Sequence, residues 1–254
     1  MPMYTARNYT KAESLAQAWE LNQKRANAIL GGGCWMRLGK RRYDTLIDLS
    51  GLGLDQIEDR EDQVVLGAMI TLRQLELSLV LKWNFGDLFT RCTEHIVGVQ
   101  FRNCATLGGS VAVRFGFSDI LTALLALDCS VELVKGGIIP LEQYVTMKRD
   151  RDVLVRIHVN KAGSKPVYQT VRNSQTDLPT LTCALGEHEG RYRAVIGARP
   201  KIAQVLEGAS LEKLMVQAKE LPYGSNMRAG ADYRRHLAGV LLTRTWKEME
   251  ANQV

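Results

Sequence analysis

Three consecutive glycines, Gly31, Gly32 and Gly33, follow directly on the apolar run Ala28-Ile29-Leu30. A second pair, Gly108-Gly109, follows the run Val97–Phe101 and the dipeptide Thr106-Leu107. No other feature constrains this chain as strongly. A backbone without Cβ reaches φ values closed to other residues and comes close to a neighbour or a ligand. Consecutive N–H groups in such a turn form a concave nest for an anion. Two nests from distant parts of one chain could clamp a pyrophosphate from both sides. The competing reading is two tight turns, since glycine is the common turn residue.

The standard phosphate loops are missing. Gly39-Lys40 has Cys34, not glycine, five positions before Gly39, and Arg41 stands where a Walker loop needs Ser or Thr. Gly31-x-Gly33 is followed by Met36, where a Rossmann loop needs glycine. There is no G-x-S-x-G. Cys34 reads as a reactive thiol on a glycine turn or as a small packing residue.

Composition removes other classes. At 254 residues, with 46% hydrophobic and 24% charged residues, the chain makes one large or two small globular domains. No stretch approaches the roughly 18 apolar residues of a membrane span, and the N-terminus lacks the apolar core of a signal peptide. The chain reads as cytoplasmic. Five scattered cysteines and four dispersed histidines give no disulfide framework and no protein-only metal site. The net charge of +6 is mild and its clusters lack interleaved aromatics, so no nucleic-acid surface is expected. An anionic cofactor or an acidic partner fits better.

Along the chain, Thr10-x-x-Glu13 predicts a capping box opening a helix that runs to about Lys24. Thr71-x-x-Gln74 predicts a second box. Leu79–Arg91 reads as helical, Val97–Phe101 as extended, and Thr106–Gly109 as a break. Ser118 is a candidate N-cap for a helix Asp119–Leu127. There Asp119 either caps the helix or accepts hydrogen bonds from sugar or ribityl hydroxyls. Strands are predicted at Thr45–Leu49, Val64–Leu66, Cys129–Val134 and Val153–Val159. Lys161–Pro166 reads as a linker. Beyond it, Val167–Val171, Thr180–Leu185 and Tyr192–Ile196 read as an antiparallel meander. Helices Leu211–Lys219 and Ala229–Glu250 close the chain. The last carries Tyr233, Leu237, Val240 and Leu241 on one face; Leu237, Val240 and Leu241 are expected to pack inward, leaving Arg234-Arg235-His236 exposed or at an interface.

Four segments, in order, resemble a known family. Val99–Leu133, VQFRNCATLGGSVAVRFGFSDILTALLALDCSVEL, is similar to the Q-[IV]-R-N-x-x-T-[IL]-G-G stretch of the flavin (medium) subunits of molybdenum hydroxylases of the xanthine dehydrogenase and carbon monoxide dehydrogenase type. Ile29–Leu38 resembles their first flavin loop, VLGAMITLRQLE their I-G-A-x-x-T-x-x-x-L-E, and Ala231–Arg244 their C-terminal signature. The resemblance implies an α+β chain. Residues 1–162 would form a two-part FAD-binding domain of the vanillyl-alcohol-oxidase (PCMH) type. Residues 163–254 would form a small C-terminal domain of the carbon monoxide dehydrogenase flavoprotein type, an antiparallel sheet plus helices. It also implies that Ile29, Leu30, Gly31, Gly32, Gly33, Cys34 and Trp35 form one pyrophosphate loop and Thr106, Leu107, Gly108, Gly109 and Ser110 the other. Asp119 would meet ribityl or ribose hydroxyls, and Leu154 would lie against the isoalloxazine.

The implied function is electron transfer within a complex. Molybdopterin and [2Fe–2S] clusters would sit on a large and a small partner subunit, and non-covalent FAD on this chain would pass electrons to an acceptor such as NAD. No side chain need act as acid or base, so no catalytic residue is assigned, and no metal ligand. Alternatives are a stand-alone flavin oxidoreductase of the same fold and a scaffold subunit that has lost flavin. Two departures bear on them. Cys34-Trp35 replaces the family's Thr-Asp, and Gln169-Thr170 follows Tyr168 where many relatives place a lysine near the flavin ring, with Arg172 as a possible substitute.

Overall fold

The computed structural model describes residues 4–163, 165–188 and 190–252. Ser164, in the anticipated linker, lies outside the described residues. The chain divides into two compact units and passes between them more than once. One comprises Met1–Gln74, Val99–Ala112 and Cys129–Val159. The other comprises Leu75–Gly98, Val113–Asp128 and Asn160–Val254.

The first unit holds two sheets. In the smaller, β1 (Thr5–Lys11), β2 (Ala28–Leu30) and β3 (Arg42–Asp48) run in the order β1-β3-β2, both pairings parallel. In the larger, β4 (Ile57–Asp59), β5 (Gln63–Gly67), β6 (Cys129–Leu133), β7 (Gly137–Pro140) and β8 (Leu154–Asn160) run in the order β4-β5-β8-β6-β7. Ala18, Ile47, Leu49, Leu54, Val153 and Val155 pack into one core.

Strand β1 was not anticipated. Its sequence, TARNYTK, has no apolar periodicity, and six of its seven residues are exposed. It is held by its backbone: Tyr9 pairs with Leu46 and Thr10 with Ile47. Thr10 is therefore inside a strand and cannot cap a helix. The box forms four residues later. Ser14 Oγ accepts from the Gln17 amide at 3.1 Å, Gln17 Oε1 accepts from the Glu13 amide at 2.7 Å, and the helix runs Leu15–Gln23.

The box at Thr71 forms as expected. The Gln74 amide donates to Thr71 Oγ1 at 3.1 Å and the Thr71 amide to Gln74 Oε1 at 2.8 Å, opening the helix Leu72–Leu77. Two expectations nearby fail. Val97–Phe101 is not extended, because Val99–Cys104 is helical. Gly108 and Gly109 are not in a turn but in the helix Leu107–Ala112. The predicted helix Leu79–Arg91 is two, Leu79–Phe85 and Leu88–Thr93, separated at Gly86 with φ +62°.

In the second unit, β9 (Val167–Val171), β10 (Leu181–His188), β11 (Arg191–Gly197) and β12 (Gln204–Gly208) form an antiparallel sheet in the order β12-β11-β10-β9. The meander thus gains a fourth strand, β12, which the sequence reading did not anticipate. Helices Leu211–Glu220 and Ala231–Asn252 pack on the sheet, burying Leu214, Leu237, Ala238, Leu241 and Leu242 against Cys183, Leu185, Ala194 and Ile196. Ser118 caps Asp119–Leu125 as expected, accepting from the Leu121 amide at 3.1 Å.

The closing helix corrects one expectation sharply. Arg234 is not on an exposed basic face; it is 0% exposed, whereas Tyr233 is 52% exposed. The Arg234 guanidinium donates to the carbonyls of Thr180 (2.9 Å), Gly224 (2.6 Å) and Ala229 (2.7 Å) and to Asn226 Oδ1 (2.7 Å). It supplies donors to the carbonyls of Thr180 and Gly224 and a second one to Ala229, whose carbonyl also accepts from the Asn226 amide. Arg234→Met keeps the stem and removes five donors, so it should lower stability by on the order of 3 kcal/mol, the scale for buried acceptors left unmade. A urea midpoint unchanged from the parent would contradict this role. No helix among the described residues is long and apolar enough to cross a membrane.

Candidate functional site

Strand β2 ends at Leu30, and the chain turns through Gly31–Trp35 into a short turn at Met36–Leu38. Gly32 and Gly33 have φ of +78° and +71°. A Cβ at Gly32 would overlap the Cys104 carbonyl oxygen. Glycine is therefore demanded twice at this position, by conformation and by close approach.

The two glycine clusters, far apart in sequence, meet within the first unit. A Cβ at Gly31 would lie 2.9 Å from Thr106 Oγ1 and 3.3 Å from Gly109 Cα. A Cβ at Gly109 would lie 3.1 Å from the Gly31 carbonyl oxygen. The sequence Thr106–Ser110 is held from behind. Leu107 and Gly108 amides donate to the carbonyls of Ile70 and Ala68, each at 2.8 Å, and a Cβ at Gly108 would come within 2.7 Å of Ala68. Sequence reasoning assigned no site role to Gly67–Thr71. The signal was present in VLGAMITLRQLE: its carbonyls anchor the second cluster.

The two clusters are not equivalent nests. In the second, the amides of Leu107, Gly108 and Ser110 donate to backbone carbonyls, and that of Gly109 to Thr106 Oγ1 at 3.2 Å. In the first, the amides of Gly31, Gly32, Gly33 and Cys34 have no acceptor among the described residues. Gly32 is exposed and Gly31 and Cys34 are half-buried. Gly33 is buried between them. Four successive donors on a loop that reaches the surface at Gly32, bordered by the Thr106 hydroxyl, can bind phosphate oxygens. The expected symmetric clamp is in this geometry one nest and one supporting wall.

The remaining expected site residues fall as follows. Ile29 and Leu30 pair with Ile47 and Asp48 in the small sheet. Cys34 Sγ lies 3.8 and 3.9 Å from the carbonyls of Gly32 and Phe101, and burial pushes its thiol above the ordinary value. That environment suits packing better than nucleophilic chemistry. Trp35 is 39% exposed. Ser110 Oγ donates to the Thr106 carbonyl at 2.9 Å. Leu154 is buried on β8 opposite Leu133.

Asp119 belongs to the second unit. It is 5% exposed. Its Oδ1 pairs with Arg172 Nη2 and accepts from Tyr168 Oη at 2.5 Å. Burial pushes its carboxyl up, against the pull of Arg172 and Tyr168. Burial first, then the Asp119 charge, also raises Tyr168 and the Cys92 thiol well above their usual values. This buried cluster was missed in sequence because its members lie on separate elements. Arg172, considered as a stand-in for a lysine near a flavin ring, is committed to Asp119 and to the Asp177 carbonyl. No cluster of three or more His, Cys, Asp or Glu able to hold a metal occurs among the described residues.

Comparison with known proteins bears on this site directly. Residues 4–160 match the family described as the FAD binding domain in molybdopterin dehydrogenase. The protein YgfM of Escherichia coli (strain K12) is 26% identical over 92% of this chain and 93% of its own. The nicotine 6-hydroxylase medium subunit of Paenarthrobacter nicotinovorans is 25% identical over 96% of this chain and 97% of its own. A carbon monoxide dehydrogenase structure from Hydrogenophaga pseudoflava superimposes with a TM-score of 0.84 at 20% identity, covering 96% of this chain and 97% of that one, a likeness of fold. The Gly31–Cys34 loop lies inside the matched segment, and with more than half of its residues so matched, the chain belongs to the family of FAD-binding domains of molybdopterin dehydrogenases.

Proposed function

We propose that this chain is the FAD-binding, electron-transferring medium subunit of a molybdopterin-dependent hydroxylase. In this reading it works in the cytoplasm beside a small [2Fe–2S] subunit and a large molybdopterin subunit and delivers electrons to an acceptor such as NAD. The observation that carries the reading is the row of acceptor-free amides at Gly31–Cys34 beside Thr106. The residues fit the cofactor: a row of amide donors for a pyrophosphate that reaches the surface at Gly32, with too little room for a Cβ at Gly31 or Gly32.

FAD, when bound, supplies two-electron and one-electron redox chemistry. The chain's own residues bind and orient. The Gly31–Cys34 amides would hold the pyrophosphate. Thr106 Oγ1, which accepts from Gly109, has its own proton available to donate. We assign Leu154 to the wall of the ring pocket and Asp119 to the hydroxyls, the latter against the competing demand of Arg172. Neither loop contains His or Tyr, and the one side chain there that could bond to flavin, the Cys34 thiol, is kept protonated by burial, so the cofactor should be released without bond cleavage.

A second reading, a scaffold subunit that has lost flavin, is favoured by Cys34-Trp35 and by the commitment of Arg172 to Asp119. The visible spectrum of the purified chain separates the two. We expect one FAD per chain and complete release of the yellow colour into the supernatant on acid precipitation. Colour staying with the pellet would overturn non-covalent binding. A colourless chain that cannot be reconstituted with FAD would overturn the flavin reading.

A further inference from the structure

The two closing helices, Leu211–Glu220 and Ala231–Asn252, bury one face on the sheet and leave a groove of about 770 Å³ on the other. Met215, Ala218, Gly239, Val240 and Thr243 line its floor. At Gly239 the Met215 side chain lies over the helix: a Cβ there would come within 3.1 Å of Met215 Cε.

The rim is basic. Lys219, Arg235, His236 and Arg244 border the groove, and Asp232 is the one carboxylate among its lining residues. Asp232 is paired with Arg235 at 2.8 Å, and Arg235 also lies over the Tyr223 ring at 5.6 Å. The Arg235 guanidinium is thus held in place at the rim. From Asp232 to Arg244 the helix advances by about 18 Å, the length of some three turns.

We propose that this groove docks an acidic amphipathic helix of a partner protein. The apolar floor suits the anchors such a helix presents at i, i+3, i+4 and i+7. The rim charges suit Asp and Glu on its flanks and would speed encounter. A second copy of this chain is the poorer occupant. Two such faces would oppose basic rims, in a chain whose net charge is already +6.

The inference is independent of the flavin reading, and its test needs no cofactor. A fluorescein-labelled synthetic helical peptide, with leucines spaced three and four apart and glutamates on both flanks, is titrated with the full chain by anisotropy. Saturable binding is expected. It should weaken at least ~tenfold in the Arg235→Glu/Arg244→Glu variant and with rising salt, as steered charge pairs do. Val240→Glu, which puts a carboxylate on the floor, should also weaken it. Circular dichroism and a thermal melt establish that each variant is folded. A peptide with lysine in place of glutamate should not bind. Absence of binding would overturn the proposal. So would equal binding of both peptides, or indifference to the rim reversals. A dimer in sedimentation equilibrium that Val240→Glu dissociates would assign the groove to a second copy instead.

Discussion

Gly32→Val should abolish FAD binding at concentrations that saturate the parent. The valine Cβ would overlap the Cys104 carbonyl oxygen, and its φ of +78° lies where L-residues carry a penalty of about 1–2 kcal/mol. The loop must move, and the four amides move with it. Flavin fluorescence quenching measures the loss, with an expected drop in affinity of more than ~hundredfold, about 3 kcal/mol. Gly53→Ala is the matched control. Gly53 also has positive φ, +64°, but nothing lies within 4 Å of its Cβ position. It should show only the backbone penalty in stability and keep FAD affinity. Gly32→Val with parental affinity would reduce the first cluster to a turn. Equal loss in both variants would locate the effect in general destabilisation.

Asp119→Ala should destabilise the fold by about 3–5 kcal/mol, the scale for breaking a buried ion pair and leaving its partner charged and unpaired. The geometry behind this is the Arg172 guanidinium and Tyr168 hydroxyl converging on one carboxylate oxygen, with side chains of Asp119 and Arg172 each 6% exposed. Arg172→Met alone should be comparably damaging. The double variant Asp119→Ala/Arg172→Met should recover part of the loss, because neither charge is then stranded. Urea unfolding of the four proteins gives the cycle. The contrasting outcome is informative. Parental stability with FAD affinity weakened by about 1–3 kcal/mol would leave Asp119 its proposed place at the cofactor hydroxyls and remove the stabilising role of the ion pair.

Much of the fold was legible because local chemistry and tertiary packing agree. Thr71-Gln74 and Ser118 cap helices where their spacing says. The alternating runs of β6 and β8 become neighbouring strands, and the antiparallel meander after residue 166 forms around apolar Leu181–Leu185. Where the reading failed, the signal was ambiguous or absent. Thr10 belongs to a box-like pattern, but parallel pairing with β3 recruits it into a strand. Val97–Phe101 has the composition of a strand, but Val99–Cys104 is a helix; its last carbonyl, Cys104, faces Gly32, and the next one, Ala105, accepts from the Leu72 amide. Arg234-Arg235-His236 reads as one basic patch, and only the position of the loops at Thr180 and Gly224–Ala229 separates the buried member from the exposed ones.

By itself the sequence determined that glycine stands at Gly31–Gly33 and Gly108-Gly109, that Thr106 precedes the second cluster, and that four motifs occur in a family's order. Those are properties of residue type and spacing, which a linear chain carries in full. Tertiary structure alone decided what each glycine is for. Both clusters looked like nests, yet the amides at Leu107 and Gly108 are taken by Ile70 and Ala68, while those at Gly31–Cys34 are left without acceptors. The difference arises because a backbone donor's partner is set by which carbonyl the fold brings within 3 Å, and that distance is not encoded in the identity of a residue with no side chain.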